Sequence, residues 1–193
     1  KVYDKWPEIA RKSFEKELKK FDVKDIDHIV FAGMGGSGSI GDTIKAILSK
    51  QDIHVTTVKG YLLPKTVDSK TLVIATSVSG NTDETLKILD ITQKTPAMSI
   101  GFSSGGLMEE YCKKNDVFFQ KIPMIHSPRA SFTSFLFSIL NVLEPILPIK
   151  YNDIQESISS LENMMENISS QNISDENKSL ELAKFIKNIV CVY

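Results

Sequence analysis

Apolar residues fall into short runs separated by polar turns, and the spacing inside each run predicts its element. Trp6, Ile9, Ala10, Phe14, Leu18 and Phe21 step by three to five residues behind Pro7, the pattern of an amphipathic helix with proline in its first turn. Ile26–Gly33, His54–Val58, Thr71–Ser77, Ala97–Phe102 and Val117–Ile122 are short apolar or β-branched runs and predict strands. Helical character appears between them, in Thr43–Lys50, in SVSGNTDETLKILDITQK and in SSGGLMEEYCKKN. Ser127 and Pro128 mark the expected start of another helix. Its residues Phe132, Phe135, Leu136, Ile139, Leu140 and Leu143 are apolar on most sides, which suits a core or a subunit interface. Further on, Ile154, Ile158, Leu161, Met165 and Ile168 repeat at helix spacing, and Leu180, Ala183 and Ile186 do so again behind Ser174 as cap. The apolar run Ile189–Tyr193 reads as the opening of a further strand.

Strands alternating with helices predict an α/β fold with right-handed crossovers and a doubly wound, largely parallel sheet. Ligands of such sheets bind beyond the carboxyl ends of the strands. The loops after Ala32, Ser77 and Ile122 are therefore the ones to examine for chemistry.

Composition narrows the function class. A chain of 193 residues exceeds one typical domain and falls short of two, so the expectation is one domain with an appendage. With 41% hydrophobic and 24% charged residues, and 23 basic against 24 acidic side chains, it is neither a disordered tail nor a polybasic nucleic-acid binder. The longest apolar stretch, 132–147, is interrupted by Thr133, Ser134, Ser138, Asn141 and Glu144, so no membrane association is expected. The charged start shows no secretory leader, and Cys112 and Cys191 are too few for a disulfide framework, which predicts a cytoplasmic protein. Histidines and cysteines do not cluster with carboxylates, so no metal is expected. All ten glycines lie between Gly33 and Gly106, and all seven prolines lie at or before Pro148, so residues 149–193 should be plain helix up to that last apolar run.

Three loops carry candidate chemistry. Gly33-Met34-Gly35-Gly36-Ser37-Gly38 satisfies G-x-G-x-x-G between a strand and a helix, the context of a dinucleotide fingerprint. That fingerprint also needs an acidic residue about twenty positions on, at the end of the second strand. Val58-Lys59-Gly60 stands there instead, and Asp52 lies at the strand's other end, so a tight turn beneath another ligand is the competing reading. In the second loop, Ser77, Ser79 and Thr82 supply three hydroxyls within one turn at a helix start, beside Gly80 and without a lysine. This suits a phosphate monoester held by neutral donors and the helix dipole. Alternatively, Ser79 or Thr82 only caps the helix. The third loop holds Arg129, one of two arginines in the chain; Arg11 lies on the charged side of the first helix and is expected to be solvated. A cation at a helix start opposes the dipole, so Arg129 invites a role in gripping ligand oxygens or stabilising developing negative charge, against the reading of an exposed surface cation.

GMGGSG, SVSGNTDET, SSGGLMEE and SPRAS, in this order and spacing, resemble the sugar isomerase (SIS) domain. The closest resemblance is to the first of two such domains in archaeal and bacterial bifunctional phosphoglucose/phosphomannose isomerases, closely over residues 1–150 and more loosely beyond. It implies a flavodoxin-like sandwich and a homodimer with sites between domains and subunits, acting on a small-molecule sugar phosphate without cofactor. It also implies that Ser77, Ser79 and Thr82 hold the 6-phosphate, that Gly36 and Ser37 line the sugar, and that Arg129 assists ring opening or stabilises the enediolate. The implied reaction interconverts aldose and ketose through a cis-enediol, with a glutamate base and a ring-opening histidine from the second domain. On this resemblance, residues 1–150 are the sugar-phosphate-binding domain, 151–188 a helical connector and 189–193 the start of a second SIS domain. The chain alone would then bind weakly and turn over negligibly. A phosphosugar-sensing domain without chemistry and an isomerase of another phosphosugar are the alternatives.

Overall fold

A computed structural model describes residues 1–187, so the strand expected at Ile189–Tyr193 lies outside the described residues. The five strands expected before it all form: β1 (His28–Ala32), β2 (His54–Val58), β3 (Thr71–Ser77), β4 (Met98–Ser103) and β5 (Phe118–Lys121). Every pairing is parallel and the order is β2-β1-β3-β4-β5, the flavodoxin-like arrangement. β1 and β3 are buried along their whole length, which explains their continuous apolar runs, since helices cover both faces.

The helices are α1 (Trp6–Glu15), α2 (Gly35–Ile47), α3 (Asp83–Thr92), α4 (Gly106–Lys114), α5 (Phe132–Val142), α6 (Tyr151–Ile168) and α7 (Lys178–Ile186). Strand alternation sorts them into two layers. Ile29, Phe31, Leu72, Ile74, Ile100 and Phe102 face α1, α2, α5 and α6, packing with Phe14, Ile40, Phe135 and Ile158. Val30, Val73 and Ala75 face the other way, toward Ile88 and Leu89 of α3 and Met108 and Cys112 of α4. Because Ile154 and Ile158 join the first cluster, α6 is tied to the sheet layer. Arg11 also departs from the solvated reading, since it pairs with Glu162 at 2.8 Å and donates to Gln155 at 3.1 Å, fastening α1 to α6.

Several boundaries differ from the sequence pattern for identifiable reasons. α1 stops at Glu15 because the buried Asn141 amide donates to the carbonyls of Phe14 and Lys16, satisfying helix-end acceptors. Leu18 and Phe21 keep packing on the core from beyond the helix end. α2 begins at Gly35, eight residues before the expected Thr43, so the glycine motif is the helix's first turn. Gly41 is required there, since a Cβ would collide with the Phe31 ring. α5 starts at Phe132, and residues 127–131 form a separate hydrogen-bonded turn. The cap of α7 is Asn177, whose side chain accepts from the Ser179 and Leu180 amides, not Ser174.

At the amino edge of the sheet the paired residues His28 and His54 stand with rings 5.1 Å apart, and each places Nε2 3.2 Å from Thr56 Oγ1. Thr71 Oγ1 lies 3.3 Å from His28 Nδ1. Burial, and then the neighbouring His54, lower the His28 pKa. The unfolded chain therefore binds more protons than the folded one as pH falls below about 6.5, and stability present above that pH is lost on the way to the lowered folded pKa. Denaturant titrations at about pH 7.5 and about pH 5.5 should show a smaller loss in His28→Gln than in the parent. Equal losses would remove His28 as the source.

Candidate functional site

The order β2-β1-β3 makes the gap between the carboxyl ends of β1 and β3 the point where chain connections diverge, opening a crevice there. Two helix N-termini flank it, those of α2 and α3, and neither has a side-chain cap. Their first-turn amides and dipoles are thus directed at the same crevice.

The loop after β3 is organised around Ser77, which is buried. Its hydroxyl shares a hydrogen bond with the Thr82 hydroxyl at 2.8 Å, lies 3.5 Å from Ser79 Oγ, and accepts from the Gly80 amide at 3.1 Å. The Asn81 amide donates to Ser79 Oγ at 3.3 Å. Thr82 occupies the N-cap position of α3, yet its hydroxyl is engaged with Ser77 rather than with the helix amides. The capping alternative is therefore not the geometry adopted.

This loop leans on the one after β4. The Ser104 amide and hydroxyl both donate to the Val78 carbonyl, at 3.0 and 2.7 Å. Met108 N–H donates to the Gly80 carbonyl at 2.9 Å, and Leu107 N–H to Asn81 Oδ1 at 3.0 Å. Contact is so close that Gly80, at φ +75°, has no room for a Cβ against the Gly105 carbonyl. A Cβ on Gly106, at φ +69°, would lie 2.6 Å from the Ser79 carbonyl. The segment SSGG is therefore a brace, a role that a strand followed by paired serines and glycines signals only when its neighbour in the sheet is known. Asn81 is a second brace residue that sequence reasoning missed.

In the first turn of α2, after β1, Gly36 is exposed with open space around it and Ser37 is buried. Gly38 packs against the Gly33 carbonyl oxygen, which a Cβ would approach to 2.7 Å. Where a dinucleotide site needs a carboxylate, Lys59 extends from the end of β2 and pairs with Asp42 of α2 at 2.6 Å. A cation already paired there cannot accept from ribose hydroxyls, so the dinucleotide reading fails on charge.

Arg129 is exposed on the turn between β5 and α5, and its guanidinium makes no hydrogen bond or ion pair among the described residues. It precedes α5 by three residues, which weakens the argument from an opposed helix dipole. Sequence reasoning grouped it with the hydroxyl loop, and no hydrogen bond joins the two. Among the described residues no cluster of three His, Cys, Asp or Glu is disposed to hold a metal ion. Burial pushes the Cys112 thiol up to about 12, removing it as a nucleophile. No described helix is long and apolar enough to cross a membrane.

The sequence profile of the SIS domain matches residues 23–143, spanning all five strands and the three loops above. The chain belongs to the SIS domain family. Curated relatives of this SIS domain include the bifunctional phosphoglucose/phosphomannose isomerase of Caldicellulosiruptor bescii, 35% identical over 170 residues, covering 83% of this chain and 49% of that protein. The protein of the same name from Aquifex aeolicus is 33% identical over 159 residues, covering 81% and 48%. The D-glucosamine-6-phosphate 4-epimerase of Sulfolobus acidocaldarius is 31% identical over 137 residues, covering 70% and 41%. The chain thus spans about half the length of these relatives, or less. Among solved structures, the C-terminal domain of glucosamine-fructose-6-phosphate aminotransferase from Francisella tularensis superposes with a TM-score of 0.63 at 17% identity, covering 97% of this chain and 56% of that one. Tagatose-6-phosphate ketose/aldose isomerase from Escherichia coli does so at 0.57 and 17%, covering 86% and 50%. Both likenesses establish the SIS fold of this chain.

Proposed function

We propose that this SIS domain is the phosphate-binding half of a sugar-phosphate isomerase that interconverts glucose 6-phosphate or mannose 6-phosphate with fructose 6-phosphate. The observation that carries it is the cluster of Ser77, Ser79 and Thr82 hydroxyls gathered before the uncapped start of α3. A phosphate monoester there receives neutral hydroxyl and amide donors together with the positive end of the helix dipole. The names of the relatives support the substrate class.

With the phosphate at α3, the sugar extends across the crevice toward the start of α2, where Gly36 leaves room and Ser37 stands beside it. Arg129 meets the oxygens on which negative charge develops as a proton moves between C2 and C1 through the cis-enediol. The base, by family resemblance a glutamate, and the ring-opening histidine belong to a second SIS domain. In this reading residues 1–150 bind the sugar phosphate, 151–188 connect and 189–193 begin the second domain. The working enzyme is then a cytoplasmic homodimer needing no cofactor, and this half alone turns over negligibly. The Sulfolobus relative favours one second reading, in which the same phosphate loop serves another phosphosugar and another reaction.

Calorimetric titration of this chain with fructose 6-phosphate tests the shared element. Ser79→Ala removes one hydroxyl from a charged ligand, worth about 1.5–3 kcal/mol, so affinity should fall roughly 10- to 100-fold. Unchanged affinity would overturn the proposal. A matching loss with other phosphosugars but none with fructose 6-phosphate would select the second reading.

A further inference from the structure

The turn carrying Arg129 is held largely by its own residues. The Ile125 amide donates to Ser131 Oγ at 2.8 Å, the Ser131 hydroxyl donates to the Ser127 carbonyl at 2.8 Å, and the Phe132 amide donates to the Arg129 carbonyl at 3.3 Å. Among the described residues, one hydrogen bond reaches residues 126–131 from a distant segment: the indole N–H of Trp6 donates to the Ala130 carbonyl at 3.1 Å. Ala130 is buried, directly after Arg129. The chain enters this turn through His126 at φ +58°, a left-handed conformation that a residue with a Cβ holds only when its surroundings impose it.

Trp6 is itself well fixed. Its half-buried ring lies 6.2 Å from the Phe132 ring and 5.1 Å, edge-on, from Tyr3. Pro7 follows it in the first turn of α1, and α1 packs along α5, the helix that leaves the turn. A donor on one element thus holds the backbone carbonyl of the residue after Arg129, whose guanidinium has no partner among the described residues. Resting on the reading of Arg129 as the group that meets developing negative charge, we propose that Trp6 is a positioning residue for Arg129, acting through the Ala130 carbonyl. A purely structural role would depend on the ring; a positioning role depends on the N–H. The two separate experimentally because the ring can be kept while the donor is removed.

The readout is ligand discrimination by this chain. A five-carbon aldonic acid 5-phosphate carries a carboxylate where the enediolate charge develops, whereas the matching alditol 5-phosphate is neutral at that end. Both engage the hydroxyl loop equally. The parent should prefer the aldonate by about tenfold, the scale of one charge-assisted contact. Arg129→Lys should erase most of that preference, and Trp6→Phe should reduce it about threefold or more while leaving alditol affinity unchanged. The benzothiophene isostere of tryptophan at position 6, which keeps the bicyclic shape and lacks only the N–H, should reproduce the Phe effect even if Trp6→Phe fails to fold. In the Arg129→Lys background either change at Trp6 should add nothing, since the two act on one contact. A parent that prefers the aldonate, with the preference lost in Arg129→Lys but intact in both Trp6 variants, overturns this inference and leaves the role of Arg129 standing. A parent with no preference overturns both the role of Arg129 and the inference built on it.

Discussion

Gly80→Ala is expected to destabilise the domain by about 3 kcal/mol or more and to abolish phosphosugar binding. Gly80 sits at φ +75°, where a side chain costs roughly 1–2 kcal/mol on backbone grounds alone. The added methyl also points into the Gly105 carbonyl oxygen, and overpacking of this kind costs a further ~1–3 kcal/mol. Backbone is in the way, not the flexible end of a side chain, so the two loops must part. Separation breaks the Met108 amide to Gly80 carbonyl bond and the Ser104 bonds to Val78, and it moves Ser79 and Thr82 off the α3 axis. Urea denaturation read by circular dichroism, with fructose 6-phosphate calorimetry alongside, checks both halves. Stability within about 1 kcal/mol of the parent would show that the brace is softer than its geometry implies.

Ser77→Ala should weaken phosphosugar binding more than Ser79→Ala does, by roughly 100-fold or more. Ser77 is the member of the cluster that touches the others. Alanine removes a hydroxyl that would face the charged phosphate, worth about 1.5–3 kcal/mol, leaves the Gly80 amide with only the Ser77 carbonyl as acceptor, and frees the Thr82 hydroxyl. Thr82 already occupies the N-cap position, so a freed hydroxyl turns onto the α3 amides and competes with the ligand for them. Adding Thr82→Val should then cost little further affinity, because the hydroxyl it removes has already turned from the ligand to the helix amides, a non-additivity that two independent contacts would not produce. Calorimetry on both variants decides it; equal losses in Ser77→Ala and Ser79→Ala would refute the hub role.

The sheet was legible in the sequence because its strands are short apolar runs between turn residues, and the buried β1 and β3 read most clearly. The family was legible too, since its motifs fall in loops where backbone geometry dictates residue type. What failed were helix starts. Gly35 to Gly41 has poor helix propensity and reads as a turn, yet those glycines let α2 lie directly on Gly33 and Phe31, a packing requirement that local preference does not encode. Pro128 was an expected first helical residue because proline fits there; the Ser131 hydroxyl bonds that make a turn instead join residues whose proximity only the fold reveals. At the site, the three hydroxyls were recognisable as a group, but their division of labour was not. Whether Thr82 caps or yields to Ser77 depends on a 2.8 Å contact across five residues. The contributions of Asn81 and Trp6 run between segments 26 and 124 positions apart, beyond any local pattern.

An all-parallel sheet also gives the domain a polarity that matters for how it can be handled. Every described loop of the candidate site leaves a carboxyl end, while the turns 49–53 and 93–97 lead into the amino ends of β2 and β4 on the opposite edge. A tether, a fluorophore or an inserted peptide placed in those turns would sit a full strand length from the crevice. Immobilised there, the domain would present the loop of Ser77, Ser79 and Thr82 outward to solution, the orientation a surface-bound sensor requires.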